Sequence, residues 1–179
     1  QELVASGKDV EDQAAFDHEI KTAGPKRMTA YREAFHAARS CLLERERDYW
    51  MSLNRLYPHI REPLRGASAS PSVYIISTKK SSFISEILYC NDIDFPAGRI
   101  IDSGKSEKMG IISAYTKRCG ADEALFIDDQ AAHFAGKGDE GINCLLALWG
   151  YALPGTRGPG FRPIDADEGA RIIEEYAVR

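Results

Sequence analysis

Hydrophobic positions follow two different rhythms along this chain of 179 residues. In residues 9–57 they recur at helical spacing. Met28, Phe35, Leu42, Tyr49 and Leu56 stand seven residues apart, and Tyr31, Ala38 and Leu53 fall at the intervening three- or four-residue steps. This stripe predicts an amphipathic helix that opens at Pro25, just after a break at Gly24. Unbroken, it would be about 45 Å long. A shorter helix is expected over 9–22. The stripe suits a helical subdomain packed on itself, with Trp50 inside it. A coiled-coil dimerisation helix is the alternative, but coiled coils usually sustain more heptads.

From residue 58 short apolar runs alternate with helical stretches. Helices are expected at 58–66, 82–90, 106–119, 131–136 and 168–177. Buried strands are expected at 73–76, 99–101, 124–127 and 144–148, where β-branched and aromatic residues cluster. The small residues at 67–72 and the Gly- and Pro-rich stretch at 153–163 read as loops, and Gly136, Gly138 and Gly141 as turns. Strands alternating with helices predict an α/β fold, a doubly wound parallel sheet covered on both faces. The expected division is a helical subdomain over 1–57 and an α/β core over 58–179.

Composition narrows the class. The chain is long enough to bury about two-thirds of its unfolded surface without staples. Its 44% hydrophobic and 28% charged residues exclude disorder. A net charge of −4 gives no electrostatic footprint for nucleic acid. No apolar run approaches the ~20 residues of a membrane helix, and no signal peptide opens the chain, so a cytoplasmic protein is expected. Cys41, Cys90, Cys119 and Cys144 are widely spaced and read as reduced, mostly buried thiols. His18, His36 and His59 read as surface or cap residues without metal-ligand spacing. Trp149 and Tyr151 read as residues at the edge of the core. Oligomeric state is left open.

Ligands of open parallel sheets bind beyond the carboxyl ends of the strands. Ser77, Thr78 and Lys79 follow the first strand. Asp102, Ser103, Gly104 and Lys105 follow the second, with Lys108 opening the next helix. Asp128 and Asp129 follow the third. Hydroxyls and an ammonium suit phosphoryl oxygens. Paired carboxylates suit Mg²⁺. One rim therefore carries the parts for metal-assisted phosphoryl transfer.

The order of these parts resembles the haloacid dehalogenase superfamily of phosphohydrolases. Val-Tyr-Ile-Ile-Ser-Thr-Lys (73–79) resembles its second motif. Residues 108–120, opening on Lys108, resemble the third, and Ala-Leu-Phe-Ile-Asp-Asp-Gln (124–130) resembles the acidic fourth. Residues 56–64 resemble the helix leading into the second motif. Leu-Leu-Ala-Leu-Trp-Gly-Tyr (145–151) resembles the end of the final core strand in phosphoglycolate-phosphatase-like members. The resemblance covers 56–151. It implies a Rossmann-like core with an inserted helical cap at 1–57 that closes over the site and selects the substrate. It implies Ser77, Thr78 and Lys108 on phosphate, Asp128 and Asp129 on Mg²⁺, and a small phosphorylated metabolite as substrate. Lys105 competes with Lys108 for the lysine role. Lys108 fits better, because it opens the helix. His133 stands where many members have a further Asp. This favours a double-Asp variant, with Asp129 the direct metal ligand and Asp128 beside it.

The family's first motif, D-x-D-G-T, supplies the nucleophile, and it is not found here. Glu2-Leu3-Val4-Ala5-Ser6 has no Asp pair, and Asp9 and Asp12 are wrongly spaced. Asp92-Ile93-Asp94 is followed by Phe-Pro and reads as a loop. The chain starts at Gln1 rather than Met, so the nucleophile strand is expected upstream. The alternative is a catalytically inactive binding or regulatory protein. Gly104-Lys105-Ser106 also resembles the end of a P-loop, but the pattern needs glycine where Arg99 stands. A response-regulator receiver uses similar residues with the acidic pair first in the chain, whereas here it is last.

Overall fold

A computed structural model describes residues 13–104, 106–135, 141–152 and 155–178. The chain divides into two compact units, Gln1–Leu53 and Asn54–Arg179.

The first unit is helical. Helix α1 spans Gln13–Arg45 and breaks inside at Gly24, whose φ of 75° and ψ of 162° leave the helical region. Only glycine takes that conformation without strain, so the expected break falls where the sequence places it. The stripe does not continue as one helix to residue 57. Glu46 leaves helical geometry, and α2 (Arg47–Ser52) restarts after it. Five consecutive charged residues, 44–48, interrupt the apolar stripe at this point and offer nothing to bury. Trp50 is buried as expected and is the one buried side chain among the described residues of this unit. Phe35, Tyr49 and Leu53 are exposed. Helix α2, of six residues, covers little of the stripe of α1.

The second unit is a mixed α/β body with parallel pairing throughout. Its elements run α3 (Pro58–Ala67), β1 (Ile75–Ser77), α4 (Ser81–Tyr89), β2 (Ile100–Asp102), α5 (Lys108–Cys119), β3 (Ala124–Asp128), β4 (Ile142–Ala147), β5 (Arg162–Ile164) and α6 (Ala166–Ala177). Pro58 opens α3, where its missing N–H costs nothing. Short 3₁₀ turns at Ala97–Arg99 and Ala131–Phe134 precede β2 and follow β3. The second of these stands where a short α-helix was expected. Strand β5 lies in the stretch read as an irregular loop. Its three residues include Pro163, which suits an edge position and hides the strand in a Gly- and Pro-rich sequence.

The sheet is in two pieces among the described residues: β1 pairs with β2, and β3 pairs with β4, which pairs with β5. Side chains alternate across each strand. Ile75 and Ile100 therefore join Ile84 and Leu88 of α4, with Ile93 and Phe95, in one cluster. Ile76 turns the other way and joins Met109 and Ile112 of α5, Phe126 of β3 and Cys144 of β4 in a second. Strand β1 is thus covered on both faces. Helices α3 and α6 pack on each other. Between them His59, half-buried rather than on the surface, meets Trp149 edge-on at 5.0 Å. Tyr151 is exposed.

Arg99, which breaks the P-loop pattern, anchors the loop before β1. It donates to the carbonyls of Ser68 and Ser70 and, at 3.1 Å, to that of Val73, while stacking on Phe95. The cysteine expectation needs correction. Cys144 is buried, and burial pushes its thiol pKa up. Cys41, Cys90 and Cys119 are exposed. The latter two stand at helix ends, where the chain turns toward solvent. Gly136 and Gly138 lie outside the described residues, and Gly141 leads into β4 with φ 112°. No helix among the described residues is long and apolar enough to cross a membrane.

Candidate active site

Three strands end in the same local device. Ser77 Oγ accepts the Lys79 N–H (3.1 Å), Asp102 Oδ1 accepts the Gly104 N–H (2.8 Å), and Asp128 Oδ1 accepts the Gln130 N–H (2.9 Å). Each is a short polar side chain closing a turn on an amide two residues ahead. This turns the chain sharply at the carboxyl end of β1, β2 and β3.

One core cluster brings the ends of β1 and β3 to the start of α5. Ile76 precedes Ser77, Met109 follows Lys108, and Phe126 lies two residues before Asp128; all three belong to the cluster under α5. The consequence is a buried ion pair. Lys108 Nζ donates to Asp128 Oδ2 at 2.6 Å, with the two side chains 10% and 7% exposed. His133 Nδ1, carried by the 3₁₀ turn after β3, sits 2.9 Å from Asp128 Oδ1. Asp128 therefore has three partners, the Lys108 ammonium, the His133 ring and the Gln130 N–H. The sequence marked His133 only as a departure from a pattern. The signal that could have found it is a 3₁₀ turn starting straight after the strand, which folds position 133 back on 128.

Asp129 faces elsewhere. Its Oδ2 accepts the Tyr151 N–H at 3.0 Å. It packs so closely on Gly150 that a Cβ there would lie 2.5 Å from the Asp129 Cβ. Glycine at 150 is what admits the aspartate. Thr78 is exposed beside the half-buried Ser77. Lys79 reaches Asn54 Oδ1 at 3.1 Å. Lys105 lies outside the described residues. Asp92 is in a turn with φ 58° and pairs with Arg61 at 2.9 Å, so the Asp92-Ile93-Asp94 segment is a loop, as read.

These carboxylates are hard oxygen donors. Both Asp128 oxygens and one Asp129 oxygen already accept hydrogen bonds. Among the described residues no group of three or more His, Cys, Asp and Glu could hold a metal. A cavity of about 460 Å³, lined by Leu125, Cys144, Phe161 and Arg162 among others, lies against the middle and amino-terminal halves of β3 and β4, not at the rim.

Burial alone would raise the Asp128 pKa. The hydrogen bonds from Lys108, His133 and the Gln130 N–H outweigh it and hold the carboxyl below the usual range. A depressed folded pKa adds stability that is fully present above the unfolded value of about 3.9 and is lost as pH falls through the folded one. The unfolding midpoint of the wild type should fall more steeply below about pH 4 than that of Asp128→Asn. Parallel pH profiles for the two proteins would contradict this pairing.

No protein-family model matches the chain, and neither the curated proteins nor the solved structures contain a match.

Proposed function

We propose that this chain is the greater part of a phosphate-monoester hydrolase of the haloacid dehalogenase type, with a Rossmann-like core over 58–179 and a cap over 1–57. The observation that carries this reading is the Lys108–Asp128 pair. The two residues stand 20 positions apart and meet at 2.6 Å beside the end of β3. An ammonium held by a buried carboxylate is fixed in place and ready to neutralise a phosphoryl oxygen. Ser77, with its Oγ accepting from Lys79, keeps its proton to donate to a second oxygen. Thr78 stands beside it as a further hydroxyl.

The nucleophilic Asp of this reading comes from a strand upstream of Gln1. Among the described residues β1 and β3 each pair with a strand on one side only, which supports a place for such a strand. That Asp would attack phosphorus to give an aspartyl-phosphate, which water then hydrolyses. It would also add a carboxylate beside Asp128 and Asp129 for Mg²⁺. The substrate proposed is a small phosphorylated metabolite in the cytoplasm, with no role for nucleic acid or membrane.

A second reading is a catalytically inactive binding or regulatory protein of the same fold. It is favoured by the placing of the D-x-D segment at 92–94 in a turn where Asp92 is tied to Arg61, and of the one at 165–167 at the start of α6, where Asp165 caps the helix by accepting the Glu168 N–H.

Expression from the complete gene decides between the two. The hydrolase releases phosphate from 4-nitrophenyl phosphate in a Mg²⁺-dependent way, and Lys108→Ala or Asp129→Ala abolishes the release. Undiminished turnover in both variants rejects the site. Absence of turnover with intact phosphate binding selects the binding protein.

A further inference from the structure

We propose that Ser103 is a further anion-binding residue of this rim, its hydroxyl donating to an oxygen of the phosphoryl group held by Ser77 and Lys108; this rests on the phosphohydrolase reading above. Ser103 is 4% exposed, and its Oγ has no hydrogen-bond partner. Buried hydroxyls are nearly always hydrogen-bonded, because an unanswered one loses its water without replacement. Its other polar groups are occupied. The Ser103 N–H donates to the Ser77 carbonyl at 2.8 Å, and its own carbonyl accepts the Ser106 N–H at 2.8 Å. The hydroxyl is the group left over.

The same two bonds place it. The first ties Ser103 to the end of β1, next to the hydroxyl read as a phosphate ligand. The second forms the turn that leads into α5, which opens on Lys108. The N-cap of α5, Glu107, makes no side-chain cap bond, so the first-turn amides of this 12-residue helix are not answered by their cap. Free amides at a helix start favour an anion. Ser77, Ser103, Lys108 and these amides are all donors, which matches a tetrahedral oxyanion and not a cation. If packing were the only requirement at 103, alanine would fill the position without a stranded hydroxyl.

The test is calorimetric titration of the chain with inorganic phosphate. Ser103→Ala should weaken binding by about tenfold to a hundredfold, the worth of one hydrogen bond to a charged acceptor. Ser103→Thr, which keeps the hydroxyl, should stay within about threefold of wild type, since one added methyl leaves the donor in place. The urea-unfolding midpoint of Ser103→Ala should be unchanged or higher, because a stranded polar group has gone. Wild-type affinity in Ser103→Ala, with weakened binding in Lys108→Ala, overturns the role of Ser103 and leaves the site reading intact; an internal water then satisfies the hydroxyl. Wild-type affinity in both variants, or no phosphate binding by the wild type, overturns both. A lower midpoint in Ser103→Ala with unchanged affinity makes the residue structural and also overturns the inference.

Discussion

Replacing Lys108 by methionine should lower the unfolding free energy by about 3–5 kcal/mol, the cost of leaving one member of a buried ion pair alone. The side chain is 10% exposed and its partner 7%, so water cannot repair the loss. Lys108 is also the strongest influence lowering the Asp128 pKa against the effect of burial. Without it the carboxyl shifts upward, and the variant should show a weaker loss of stability in acid than the wild type. His133 and the Gln130 N–H remain on Oδ1, which keeps the cost toward the lower end of that range. The double variant Lys108→Met/Asp128→Leu should recover much of the loss, because apolar pairs often replace buried ion pairs without penalty. Urea unfolding of the two single variants and the double variant measures this directly. A loss below about 1 kcal/mol for Lys108→Met would mean that the pair is screened like a surface contact.

The second large effect is at Leu146. It is fully buried in β4 and lies directly beside Asp128 in the strand register. Leu146→Ala should cost about 2–5 kcal/mol through lost apolar burial and the cavity left behind. The loss does not stay local. Interiors are close-packed, and the neighbouring strand end holds the carboxylate that orients Lys108. Leu146→Ala should therefore weaken phosphate binding as well as stability, whereas Leu148→Ala, at an exposed position just past the same strand, should change neither by much. Equal effects from the two substitutions would contradict the packing described here.

Much of the second unit was legible because its strands are short buried apolar runs flanked by small polar residues. Residues 75–77, 100–102 and 124–128 emerge as strands within a residue or two of expectation. Strand β5 was not legible, since Pro163 and the surrounding glycines carry a loop signature and only pairing with β4 makes three residues a strand. In the first unit the seven-residue stripe predicted one long helix, yet periodicity does not register what a charged run does to continuity. Glu46 decides that locally. At the rim, the sequence placed Lys108 and the Asp pair correctly at an element start and a strand end. It could not say which carboxylate faces the lysine. The two aspartates are adjacent, so they point in opposite directions, and the close approach of Asp129 to Gly150 fixes which goes where. Ser103 was unreadable, since the missing partner of its buried hydroxyl is a tertiary fact, whereas His133 meets Asp128 through the local 3₁₀ turn that was read as a short α-helix.

The most direct test of a phosphate site at this rim is a titration of isotopically labelled chain with inorganic phosphate, followed residue by residue by NMR. The account predicts that the amides of Ser77, Thr78, Ser103 and the first turn of α5 shift together along one binding curve, with the Lys108 ammonium resonance moving on the same curve. Shifts confined to other parts of the chain, or none at all at millimolar phosphate, would contradict it.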